Sequence, residues 1–290
     1  MKDYPQIYDN IEKFYAELAL SNEKIELLNS YFLAFSNLYN IITMEKAYSI
    51  IKSQNPDEFT EEDFLAFAEV VRHDEKWYCI LSDDEIFENG TESKPMQRKL
   101  IGEWLLEDYD DLETMMSLQE GKPYYVPAKE ELLKYADDFY YEETPQTKAI
   151  FDFFVNEMGM DKKMADDMTG ETISTMCISL GEAEVPFDDF ARMKIYFTRK
   201  QAEKFLNLFV DLYNNTRQPF NRGYTPCEMQ KRIVPLAASK IDSEKKSAIN
   251  GFTFAEDLLD SLDDLPQKIS RNALCSCGSG KTYKRCCGKK

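Results

Sequence analysis

The stretch Lys76-Trp77-Tyr78-Cys79-Ile80-Leu81-Ser82-Asp83-Asp84-Glu85-Ile86-Phe87-Glu88-Asn89-Gly90 interrupts a chain that otherwise reads as helix. Lys76 to Leu81 is rich in aromatic and aliphatic side chains, and Glu85 to Glu88 is a second short run before the turn pair Asn89-Gly90. Two such runs flanking Ser82-Asp83-Asp84 predict a β-hairpin over about residues 75–89.

Outward from the hairpin toward the N-terminus, apolar residues recur at helical spacing. One stripe runs through Ile7, Ile11, Phe14, Tyr15 and Leu18, and another, after a Ser21-Asn22 start signal, through Ile25, Leu28, Phe32 and Phe35. A third helix follows Thr43, with Ala47, Ile50 and Ile51 inward, and stops at Asn55-Pro56, because the residue before a proline is pushed out of the helical region. Thr60-Glu61-Glu62-Asp63 supplies an N-cap and an acidic first turn for a fourth helix through Phe64, Phe67, Ala68 and Val71. Helices followed by a hairpin is the order of a winged-helix domain. The helix before the hairpin carries Glu61, Glu62, Asp63 and Glu69 against the single basic residue Arg72, and reading DNA needs Arg or Lys, so this shape is expected to serve packing or protein contact.

Toward the C-terminus the pattern predicts helices over residues 96–118, 128–140, 145–158, 161–168, 171–180, 187–197 and 199–215. Breaks are expected at Gly121-Lys122-Pro123, Met158-Gly159, Gly170 and Gly181. Thr144-Pro145 joins an N-cap to proline at the first helical position, and Thr225-Pro226-Cys227-Glu228 adds a glutamate three residues after the cap. The fold class expected is mainly α, a multi-helix body with one small winged-helix-like hairpin and a C-terminal metal-binding hairpin. Its expected organisation is an N-terminal helical region with the winged-helix-like hairpin (1–122), a second helical region (123–237), a polar linker (238–268) and a cysteine-rich tail (269–290).

The 290 residues are 43% hydrophobic and 30% charged, a globular balance, with a formal charge of -18. That sign repels phosphate, which weighs against non-specific nucleic-acid binding and anionic membrane surfaces. The start MKDYPQIYDN lacks the basic and apolar regions of a signal peptide, and no run approaches a membrane span, so a soluble cytoplasmic protein is expected. Cys79, Cys177 and Cys227 are scattered and read as reduced, packed thiols. Charge reverses in the tail: from Pro266 onward Lys268, Arg271, Lys281, Lys284, Arg285, Lys289 and Lys290 stand with no acid.

The tail run Cys275-Ser276-Cys277-Gly278-Ser279-Gly280-Lys281-Thr282-Tyr283-Lys284-Arg285-Cys286-Cys287 contains GSGKT, which resembles the end of a phosphate-binding loop. That loop needs glycine five residues before its second glycine, where this chain has Cys275, and a strand and helix around it. No nucleotide site is expected. Cysteines paired as C-x-C and C-C, eight residues apart, instead suit a hairpin whose four thiolates hold one tetrahedral, structural Zn²⁺, with iron not distinguished by the pattern. Gly278 and Gly280 permit the turn, and Lys281, Lys284 and Arg285 offset the negative charge of a four-thiolate centre.

The run from Arg271 to Gly288 resembles the SEC-C motif, the zinc-binding tail named for the C-terminus of the translocase ATPase SecA and found on many otherwise unrelated bacterial proteins. The resemblance implies the ligands Cys275, Cys277, Cys286 and Cys287. Ala273-Leu274 departs from the family's usual acidic residue and proline, which bears on the entry turn and not on the ligands. Asn214-Asn215-Thr216-Arg217 and Asn221-Arg222-Gly223-Tyr224-Thr225-Pro226 are similar to a segment of helical SEC-C proteins of Gram-positive bacteria, and read on their own as a helix end, a loop and a capped helix start.

No catalytic constellation accompanies the motif. His73 is the sole histidine, more suited to a cap than to a general base, and G-x-S-x-G and dinucleotide fingerprints are absent. The pairs Asp83-Asp84, Asp137-Asp138, Asp166-Asp167 and Asp188-Asp189 read as solvated helix faces. The expected function is therefore a non-catalytic adaptor whose basic tail meets a protein or ribosomal partner through Lys281, Tyr283, Lys284 and Arg285, with no DNA, nucleotide or membrane insertion. A transcription-related regulator built on the winged-helix-like region and an enzyme of unknown type are the alternatives. A tail folded back on its own acidic body is a further arrangement the charges allow.

Overall fold

The computed structural model describes residues 5–181 and 185–233, together with Lys281, Thr282 and Arg285. Its elements run α1 (Ile11–Glu17), α2 (Asn22–Tyr39), β1 (Ile41–Thr43), α3 (Met44–Gln54), α4 (Glu61–Val71), β2 (Tyr78–Leu81), α5 (Asp83–Ile86) and β3 (Lys99–Gly102). They continue as α6 (Tyr109–Gln119), α7 (Lys129–Lys134), α8 (Pro145–Asn156), α9 (Lys162–Ile178), α10 (Phe187–Arg192), α11 (Arg199–Asn215) and α12 (Pro226–Ile233).

Caps start the helices where the sequence places them. Ser21 Oγ accepts from the Lys24 N–H at 3.4 Å and Thr43 Oγ1 from the Lys46 N–H at 3.3 Å. Thr60 and Asp63 close a reciprocal capping box at 3.1 Å in both directions. Behind α4 the chain forms β2, and β3 inserts between β1 and β2 to give an antiparallel sheet of order β1-β3-β2. The order α2, β1, α3, α4, β2 and β3, with α5 between the last two strands, resembles that of a winged helix.

This small sheet divides two apolar cores because neighbouring residues of a strand face opposite sides. Ile42, Tyr78, Ile80 and Leu100 pack with Phe32, Phe35, Phe64 and Phe67 of α2 and α4. Their neighbours Ile41, Leu81 and Ile101 join the phenylalanine cluster of Phe153, Phe154, Phe190, Phe205 and Phe209 from α8, α10 and α11. Strands buried on both faces read as continuous apolar runs, as Tyr78-Cys79-Ile80-Leu81 does. Leu112 and Met115 of α6 belong to the second core, whereas Leu132 of α7 joins the first.

The mainly helical class holds, and several local expectations are corrected. The second arm of the hairpin expected over 75–89 is a helical turn, α5, in which Ser82 and Glu85 form a capping box, and the true partner of β2 is Lys99–Gly102. One helix expected over 96–118 is instead β3, short 3-10 turns and α6, because Lys99-Leu100-Ile101-Gly102 finds better partners in two strands than in a helix. The two helices expected on either side of Gly170 are the single helix α9, since one glycine weakens a helix by only about 1 kcal/mol. The helix expected over 128–140 shortens to α7, and that over 187–197 to α10. In the first expected stripe, Ile7 and Phe14 lie on the surface at 52% and 40% exposure.

Candidate functional site: an acidic groove beside a charge-paired clasp

Arg217, in the loop after α11, is the centre of a clasp formed by the segment 214–226. Its guanidinium donates to Glu142 at 2.8 Å, to Glu228 at 2.9 Å and to the Gly223 carbonyl at 3.1 Å, and lies 3.5 Å from the centre of the Tyr125 ring. Burial would lower its pKa, but the two glutamates outweigh this and raise it. Arg222 stands in the left-handed region with φ 50, donates to the Lys122 carbonyl at 2.6 Å and lies over Tyr124. Gly223 follows with φ 83, and a Cβ there would come within 3.1 Å of Tyr39 and 3.2 Å of Leu38, so only glycine suits both its backbone and its space. Thr225 and Glu228 make reciprocal 3.1 Å capping bonds that open α12. Gln119 donates to the carbonyls of Tyr39 at 2.6 Å and Pro219 at 2.9 Å, tying the clasp to α2 and α6. The bland reading of 214–226 as helix end, loop and capped start is what the structure displays.

Next to the clasp lies a groove of about 770 Å³. Its walls are the end of α2, Trp77 ahead of β2, Glu103, Trp104 and Glu107 after β3, the loop from Tyr135 to Thr144, and one face of α9. On α9 the groove-lining Asp167, Glu171, Ser174 and Ile178 recur at spacings of three and four, the period that puts residues on one face. Asn40 positions Trp104: left-handed at φ 56, it accepts from Trp104 Nε1 at 3.2 Å. Asn37 shapes the opposite loop, donating to the Tyr135 carbonyl at 2.8 Å and to Asp138 at 2.9 Å.

The groove combines bare aromatic surface with unneutralised carboxylates. Trp77 is 72% and Phe139 90% exposed, values unusual for side chains of that size. Glu103, Glu107, Asp137, Asp138, Asp166, Asp167 and Glu171 all line it. Asp166 accepts from the Tyr141 hydroxyl, Asp138 from Asn37 and Asp137 from the Phe139 N–H, but none of the seven meets a cation among the described residues. Arg217 is the one cation among the groove's described lining residues, and Glu142 and Glu228 already hold it. Burial, followed by the neighbouring Asp166, pushes the Tyr141 phenol up, and burial pushes the Cys177 thiol up to about 12 and Cys79 to about 11. Neither thiol is poised as a nucleophile.

The four cysteines expected as ligands, Cys275, Cys277, Cys286 and Cys287, lie outside the described residues, as do Tyr283 and Lys284. Of the expected partner-binding residues Lys281 and Arg285 are described, both exposed, and the Arg285 N–H donates to the Thr282 carbonyl at 2.8 Å. Among the described residues no group of three or more His, Cys, Asp or Glu side chains is placed to hold a metal ion, and no helix is long and apolar enough to cross a membrane. His73 stacks on Tyr8 with its Nδ1 2.8 Å from the Gln6 carbonyl, a packing role. Glu69 of α4 pairs with Arg98, while Arg72, just after α4, pairs with Glu85 at 2.5 Å, so these two arginines are already neutralised.

Sequence reading treated Asp137-Asp138 and Asp166-Asp167 as separate solvated faces, and the fold brings both to one groove. The signal available beforehand was Phe139-Tyr140-Tyr141 directly after Asp137-Asp138, three large aromatic side chains beside an acidic pair.

Comparison with known proteins bears on the tail. Residues 271–289 match the SEC-C motif, so the chain carries that motif at its C-terminal end. Among curated proteins it is similar to the protein translocase subunit SecA of Sulfurimonas denitrificans, 32% identical over 99 residues, which is 33% of this chain and 11% of that protein. The SecA of Aliarcobacter butzleri is likewise 32% identical over 89 residues, 29% of this chain and 10% of that protein. The chain thus spans about a tenth of the length of these relatives. No solved structure matches.

Proposed function

We propose that the protein is a non-catalytic zinc-binding SEC-C adaptor, in which Cys275, Cys277, Cys286 and Cys287 hold one structural Zn²⁺ and the ordered basic tail docks on a protein or ribosomal partner. The observation that carries this reading is the SEC-C match over residues 271–289 with all four thiols in place. Four thiolates with no open position suit a structural rather than a catalytic ion. A tail with so few apolar residues has no core of its own, and metal binding of about 10–16 kcal/mol in finger-like peptides is enough to order it. The seven basic residues then form a compact cationic surface suited to acidic protein or rRNA phosphate.

The test is co-purification of partners from cells at low salt, using the full chain and its Lys281→Glu, Lys284→Glu, Arg285→Glu variant. The variant is expected to lose the salt-sensitive partners, and retention of every one of them contradicts the adaptor reading. A transcription-related regulator is the second reading, favoured by the α2-to-β3 topology. It requires a footprint on defined DNA at physiological salt from a surface whose α4 carries Glu61, Glu62, Asp63 and Glu69.

A further inference from the structure

The groove beside the clasp is built for a cationic occupant. We infer that it is the docking site of the chain's own basic tail, residues 281–290, in an arrangement other than the one described, in which Lys281 and Arg285 are exposed and do not line the groove, so that the docked tail is held against the body until a partner competes for it.

Three features carry this. First, Trp77 and Phe139 leave large ring faces open to water, at 72% and 90% exposure, inside a concave site of about 770 Å³. Aromatic faces bind Lys and Arg heads, and the aliphatic stems of those side chains cover apolar surface. Second, the groove-lining carboxylates Glu103 and Glu107, after β3, and Asp167 and Glu171, on α9, have no cationic partner among the described residues; the first three are exposed and Glu171 is half-buried. The tail supplies Lys281, Lys284, Arg285, Lys289 and Lys290, with no acid among them, which complements the groove in sign. Third, residues 234–280 separate the end of α12 from the tail. A connection of that length reaches up to about 150 Å when extended, several times the ~17 Å radius of gyration expected of such a body. Tethering on one chain makes docking an intramolecular step, which lowers the affinity that the ion pairs and ring contacts must supply.

The inference stands apart from the proposed zinc, because the charges it uses are present with or without metal. If docking does occupy Lys281 and Arg285, the adaptor is self-masked, and neutralising the groove should make its tail more available to partners.

The chain contains two tryptophans, Trp77 and Trp104, and both line the groove. Acrylamide quenching of their fluorescence in the full chain therefore reads the occupancy directly. At low ionic strength the wild-type chain is expected to be protected, and protection should be lost on raising salt to about 1 M, where the screening length falls to ~3 Å. It should be lost equally in the variant Lys281→Gln, Lys284→Gln, Arg285→Gln, and in the groove variant Glu103→Gln, Glu107→Gln, Asp167→Asn, Glu171→Gln. Circular dichroism of each variant checks that the body is folded. Metal content, measured on the same samples, separates a failure of this docking from a failure of the zinc reading. Quenching that is the same in all three proteins at low salt overturns the inference. Protection that grows with protein concentration also overturns it, because the tail would then enter a second copy.

Discussion

The clasp and the groove share a border and a vocabulary of Arg, Glu and Tyr, yet they use their charges in opposite ways. In the clasp the guanidinium of Arg217 is satisfied by two carboxylates, a carbonyl and a ring face. In the groove seven carboxylates meet no cation among the described residues, and two large aromatic rings stay wet. Paired, partly buried charge defines geometry. Unpaired charge around exposed apolar surface costs stability through mutual repulsion and is retained where something else is to be bound.

The strongest way to break that contrast is Arg217→Ala. It leaves Glu142 and Glu228 facing each other without their counter-charge and uncovers Tyr125, so a loss of about 2–4 kcal/mol is expected in urea unfolding, toward the low end because both glutamates keep some solvent. A loss under about 0.5 kcal/mol would mean that the clasp is ornamental surface pairing. Gly223→Ala comes next. Its positive φ and the 3.1 Å approach of Tyr39 predict a cost of about 1–3 kcal/mol, read in the same assay. The smallest effect belongs to the groove: replacing Glu103, Glu107, Asp167 and Glu171 by their amides should change stability by no more than about 0.5 kcal/mol at about 1 M salt, where the tail is released and like-charge repulsion is screened. A large destabilisation there would place these carboxylates in the architecture and remove the contrast.

The sequence foretold the regions where one local rule decides. Thr43 and Thr60, followed by apolar residues at helical spacing, gave α3 and α4 with their caps, and Thr144-Pro145 did the same for α8. It misled where a distant partner outvotes the local pattern. Glu85-Ile86-Phe87-Glu88 reads as a short strand before the turn pair Asn89-Gly90, but Ser82 and Glu85 cap each other and the strand position goes to residues that reach β2 only through a long connection. Lys99-Leu100-Ile101-Gly102 fits a helix as readily as a strand when taken alone, and only the pairing of Ile101 with Ile41 and Cys79 distinguishes the two. The groove was illegible for the same reason: Asp138 and Asp167 are ordinary surface acids until α7 and α9 set them on one cavity. The tail is the reverse case, because the run from Arg271 to Gly288 carries its resemblance locally, and the SEC-C match at residues 271–289 agrees with that resemblance.

In the proposed function the four tail thiols are a metal site. Metal analysis of the purified full chain beside its Cys286→Ser, Cys287→Ser variant tests this directly. One zinc per chain in the wild type, lost in the variant while the helical signal of the body is unchanged, is the predicted result. A wild-type chain that carries no metal with its thiols reduced, or a variant that retains it fully, contradicts the account.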